Sequence, residues 1–151
     1  MQTTAEARQQ LLDAIAQATD QIGAALAGLG AAYEQLDEMR ADELEEQLFR
    51  PVQVAYGRAR RMHGEFANRH GLAVRSFEPP SPGLASTGAK SFIENAVVSA
   101  GRADEMLASL QDSMLPVDVG DPELRAGLAD LRGLVGGVAP RARELVRTIG
   151  R

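Results

Sequence analysis

His63 and His70 are the only imidazoles in the chain, and they stand among Arg58, Arg60, Arg61 and Arg69, with Arg50 and Arg75 beyond. Seven residues is close to two helical turns, so both rings would leave one side of a helix. With an acid from a neighbouring element they would make a metal pair. The Glu-x-x-His spacing of di-metal carboxylate bundles is absent, because Arg60 and Ala67 hold the positions where the acids belong. No third ligand accompanies the histidines, and no cofactor is expected.

The arginine run is a concentration of positive charge suited to phosphate or another anion. A second anion motif lies downstream, where Gly83, Gly88 and Lys90 give a partial phosphate-loop pattern. Such a loop needs Lys directly after the second Gly, so that backbone donors and the ammonium surround one phosphate. Here Ala89 intervenes and a proline-rich stretch precedes it in place of a strand, so nucleotide hydrolysis is not supported. A Ser/Thr/Gly-rich helix start beside Lys90 still suits an anion. Arg58, Arg61, His63 and Lys90 are therefore the candidate contacts for a small-molecule or anionic ligand. Tyr33, Phe49, Tyr56, Met62 and Phe66 crowd around Pro51 in sequence and would supply the apolar lining of a pocket there. Without cysteine, disulfides, thiolate metal sites and a cysteine nucleophile are excluded, and no Gly-x-Ser-x-Gly turn supports a serine hydrolase.

Charge is unevenly distributed. Residues 1–48 carry ten acidic and two basic side chains, residues 49–90 seven basic and two acidic, and the whole chain is −5. Acidic overall, and with no aromatic platform beside the arginines, the chain is not expected to bind nucleic acid. The arginines of the middle segment are expected to pair with the acidic run Glu34, Asp37, Glu38, Asp42, Glu43, Glu45 and Glu46, within the chain or across a dimer.

The elements that must position these groups are helices. Leu11, Ile15, Ala18, Ile22, Ala25, Leu29, Ala32, Leu36 and Met39 follow alternating steps of four and three, the seam of a coiled coil. Thr3 and Glu6 form a capping box, so this helix starts near Thr4. Because the phase continues through Gly28 and Gly30, one helix is predicted over about 4–48, kinked at Pro51 and resuming over 51–70, where Gly71 would close it. Residues 71–86, with Pro79, Pro80 and Pro82, form an extended crossover that Val74, Phe77 and Leu84 would pin to the body. Helices over about 87–113 and 122–149 follow, the second opened by Asp121-Pro122-Glu123 and liable to bend at Gly136, Gly137 and Pro140.

The expected fold is a single all-α domain over residues 1–151, an antiparallel helical bundle with coiled-coil-like packing. A first helix of that length would outrun its neighbours and leave Ile15, Ile22, Leu29 and Leu36 as a self-association seam. The sequence thus predicts a non-enzymatic protein acting by self-association or by binding a protein partner, most simply as a homodimer. The alternative is a small-molecule or anion binder built on the Pro51 kink and the 78–91 strap. No transmembrane run and no signal-peptide pattern are present, so a cytoplasmic location is expected.

Overall fold

The computed structural model describes residues 1–149. Helix α1 (Thr4–Tyr33) begins as the capping box requires: the Thr3 hydroxyl accepts the Glu6 N–H at 3.1 Å and donates to the Glu6 carboxylate at 3.0 Å. Its stripe is buried from Leu11 to Ala32, with no member of the series more than 1% exposed.

The stripe ends there. At Tyr33 the chain leaves the helix, Gln35 and Leu36 donate back to Ala32 and Tyr33, and the Asp37 carboxylate accepts the Arg40 N–H to open α2 (Glu38–Leu44). The first helix therefore stops well short of residue 48, and it does not turn at Gly28 and Gly30. Leu36 is only partly buried and Met39 is 72% exposed, although both keep the heptad phase. A local N-cap outweighs two apolar residues that lack a partner surface.

From Glu38 the helical backbone runs without interruption to Arg69. It passes through a π-turn (Glu45–Phe49) into α3 (Arg50–Arg69), and Leu44, Phe49 and Arg50 all keep helical torsions. The π-turn is how Pro51 is accommodated. Proline has no donor for the carbonyl four residues back and its ring crowds that carbonyl. Widening the turn, with Arg50 N–H reaching Glu45 O, shifts the ladder by one residue just before it. At the other end His70 donates to Phe66 O, Leu72 donates to Ala67 O at 2.8 Å, and Gly71 takes φ +68°, the left-handed cap expected of it.

The extended crossover leads to a short 3-10 turn (Ala85–Thr87) and α4 (Ala89–Asp112). One helical turn, α5 (Leu115–Asp118), precedes α6 (Pro122–Gly136), and Gly137 separates α6 from α7 (Val138–Ile149). Asp121 caps α6 as predicted, accepting the Leu124 N–H at 2.8 Å. Helix α4 starts directly after Gly88, with no side chain capping its first turn.

These pieces form four limbs. Gly23 and Gly30 of α1 face Tyr56 and Phe49, so α1 and α3 run antiparallel. Gly28 meets the Phe92 carbonyl and Ala96 of α4, while Arg8 near the start of α1 reaches Val119 O beyond the end of α4, so this pair is antiparallel too. Arg58 with Asp130 and Arg69 with Asp121 set α3 against α6, and Arg132 with Asp104 sets α6 against α4. Around the bundle the order is α1, α3, α6–α7, α4, and every neighbouring pair is antiparallel. The crossover is what permits this: it carries the chain from the end of α3 to the start of α4, so that two successive limbs point the same way.

At 1.5 Å per residue, the 30 residues of α1 span about 45 Å. The 24 residues of α4 span about 36 Å, close enough to cover the seam. Ile15, Ile22 and Leu29 are at most 1% exposed in a single chain. In this fold they serve the interior and present nothing to a second copy. No helix among the described residues is long and apolar enough to cross a membrane.

Candidate functional site

The four ligand contacts proposed from sequence are not brought together. Arg58 and Arg61 line a groove of about 170 Å³ between α3 and α6. Arg58 is bound there to Asp130 at 2.7 Å, and Glu65, Glu123 and Asp130 share the lining, so the groove is not a basic one. His63 lies on the opposite side of α3, 3% exposed, with Nδ1 lacking a hydrogen-bond partner and its ring edge-on to Phe77 of the crossover at 5.0 Å. Lys90 is exposed in the first turn of α4, on a different limb. The aromatic set near Pro51 is mostly interior: Tyr56 and Phe66 are at most 4% exposed and Met62 packs beside Gly127 of α6.

The arginines do pair within the chain: Arg50 reaches Glu45 of the acidic run, while Arg58, Arg69 and Arg75 take acids other than those expected. Arg69 donates to both oxygens of Asp121 at 2.8 and 2.9 Å, and Arg75 reaches Asp20 at 3.0 Å. Arg60 lies over the Tyr56 ring at 4.7 Å. His70 Nε2 is 2.9 Å from the Asp121 carboxylate, which makes that group a junction between the end of α3 and the start of α6. Burial acts to raise the Asp121 pKa. Hydrogen bonds from Arg69, Leu124 N–H and His70 overcome it and hold the carboxyl well below the usual carboxylate range.

The acidic run is left over. Of its seven members only Asp37, with Arg40, and Glu45, with Arg50 at 3.9 Å, form ion pairs among the described residues. Glu34, Glu38, Asp42, Glu43 and Glu46 are exposed around Met39.

A second uncompensated surface lies between α4 and α7, near the same end of the bundle. Ile93 and Ala142 form its buried floor, Val97 and Val146 are half-buried walls, and the rim carries Glu94, Arg143 and Arg147 around a volume of about 380 Å³. Lys90, seven residues before Val97, stands on this same side of α4 and extends the basic rim. Arg147 pairs with Glu144 at 3.0 Å, but both are more than 70% exposed, so solvent weakens that bond. The two valines lie one step off the periodic stripes, where spacing alone gives no signal. Only the pairing of α4 with α7 makes them one surface.

Among the described residues no group of three or more His, Asp or Glu side chains is arranged to hold a metal ion. Comparisons with protein families, with characterised proteins and with solved structures find no match to this chain.

Proposed function

We propose that this chain is a non-enzymatic helical-bundle protein that acts by self-association, docking the acidic α2 segment of a second copy on its own α4–α7 groove. The observation that carries the reading is the mismatch of charge on two neighbouring surfaces. One is an apolar groove whose rim carries Arg143 and Arg147 against a single acid, Glu94, with Lys90 a turn before Glu94 on the same helix. The other is the α2 segment with the start of the π-turn, where exposed Met39 stands among exposed Asp42, Glu43 and Glu46, Glu43 also bordering α7 of its own chain. A helix laid in a groove is recognised by apolar anchors at helical spacing, with flanking charge selecting the partner. Met39 supplies the anchor, and the acids at the third, fourth and seventh positions after it face the rim. Both surfaces lie toward one end of the bundle, so two copies can exchange them about a two-fold axis. The two histidines support a non-catalytic reading, since His70 is held by Asp121 and His63 is sealed under Phe77. A cysteine-free chain is in keeping with a cytoplasmic setting.

Sedimentation velocity on the wild type, on Arg143→Glu/Arg147→Glu, and on that variant carrying Glu43→Arg/Glu46→Arg as well tests the proposal. A dimer, a monomer and a restored dimer are expected in that order. A wild type that stays monomeric well above micromolar concentration would sink self-association.

A further inference from the structure

The crossover is a strap across one side of the bundle, and very little holds it. Phe77 is its one large buried side chain, whereas Val74 and Leu84 are 58% and 76% exposed. Arg75 stacks over the Phe77 ring at 4.5 Å and binds Asp20 of α1, and Gln35 donates to Ala85 O at the far end. Beneath Phe77 lies His63, almost wholly buried, with no hydrogen bond to Nδ1. A buried imidazole whose Nδ1 has no partner is held more favourably in its neutral form. A proton added to it would be a desolvated charge close to the Arg75 guanidinium that lies over the Phe77 ring.

We propose that protonation of His63 releases the strap, residues 72–84, from its seat on α1 and α3, making this segment an acid-sensitive cover. The groups facing the ring come from both elements packed on it. Burial first, and then Arg75 of the strap, depress the His63 pKa below its ordinary 6.5, while Asp13 and Asp20 of α1 act in the opposite sense and are outweighed. A depressed pKa in the closed form sets the direction. Closure is fully favoured above 6.5, and that stabilisation is lost as pH falls below 6.5 toward the lowered value. Opening hydrates His63 and separates it from Arg75, so the open strap takes up the proton more readily. Release would place Phe77 beside Val74 in solvent as an apolar, proline-flanked segment, still tethered at the Gly71 cap and at Ala85.

The test is NMR of the intact protein between about pH 7.5 and 5.5, a window spanning ordinary imidazole titration and above the carboxylate range. The expected result is loss of the ring–ring contact signal between His63 and Phe77. Phe77 resonances should move to solvent-exposed values while the methyl signals of Ile15 and Leu107 stay unchanged. In His63→Gln, which cannot take up the proton, Phe77 should keep its buried resonances across the whole range. Phe77 resonances that do not move in the wild type would overturn the proposal, and so would an equal acid response in His63→Gln. If that variant fails to fold, the wild-type titration decides alone: His63 and Phe77 must report the same midpoint, and separate midpoints would refute the coupling.

Discussion

The α1–α4 seam and the α4–α7 groove are both interfaces between antiparallel helices, and α4 belongs to both, yet one is closed and the other open. In the seam, small residues let the backbones approach: Ala18, Ala25 and Ala32 on α1, Ala96, Ala100 and Ala103 on α4, all at most 3% exposed. At Gly28 the approach is close enough that a Cβ would stand 3.1 Å from the Phe92 carbonyl oxygen. In the groove, Val97 and Val146 keep the surfaces apart and leave their own methyls half in water. Small side chains close an interface by admitting the neighbouring backbone. Branched side chains that meet no facing partner leave a slot for one. The anchoring differs in the same direction: α6 is pinned to α3 through Asp121, whereas α7 starts afresh beyond Gly137.

The most disruptive way to break the comparison is a charge in the seam. Leu29→Asp buries an unpaired carboxylate, and at about 4 kcal/mol or more it removes much of an ordinary domain's stability. Loss of the helical circular dichroism signal at room temperature is the expected outcome, and native helicity with an unchanged melting temperature would contradict the buried seam. Asp121→Ala removes both the cap of α6 and the anion held by Arg69, and should cost about 2–3 kcal/mol in chemical denaturation. Its acid behaviour should change as well. The depressed Asp121 pKa stabilises the fold above the ordinary 3.8 and loses that contribution as pH falls below it, so the variant should show a shallower decline in that range.

Gly28→Val tests the close approach directly. Overpacking against a backbone carbonyl should cost about 1–3 kcal/mol and lower the melting temperature by several degrees. The same change at Gly133, where a Cβ meets nothing within 4 Å, should do far less. The groove gives the smallest effect on stability. Compared at concentrations where the wild type is itself dissociated, Arg143→Glu/Arg147→Glu should shift unfolding by no more than about 0.5 kcal/mol, since both sites are exposed, while association at higher concentration is lost. A large stability loss there would mean that the rim belongs to the core.

Much of this architecture was legible in the residue spacing. Leu11 through Ala32, Val52 through Phe66, Ile93 through Leu110 and Leu124 through Leu145 carry the core in the order their stripes predict, because burial follows helical phase. The phase does not say where a helix stops. Leu36 and Met39 continue the repeat, and the signal that ends α1 was one Asp37 with acidic Glu38 after it, a cap pattern overlaid by a stronger periodicity. Pro51 read as a kink because the π-turn that absorbs it has no residue signature. Phe77 was legible as a strap anchor, but Val74 and Leu84 are not, since an extended segment offers no periodicity to tell its inner side from its outer. Val97 and Val146 became a site only when the fold made them neighbours, and the pairing of Arg58 with Asp130 is likewise a property of α3 lying against α6.

The crossover also governs how the chain reaches its native state. The α4–α6 pair closes over one short turn and a capped helix start, so its contacts are local and should form early. The seam that buries the most regular stripe joins α1 to a helix that lies beyond both α3 and the strap, and it cannot form until that long loop has been drawn shut, at an entropic cost. Refolding is therefore expected to be slower than in a bundle of successive hairpins of equal length. For that interval α1 holds Ile15, Ile22 and Leu29 uncovered, the period in which the chain is most exposed to aggregation.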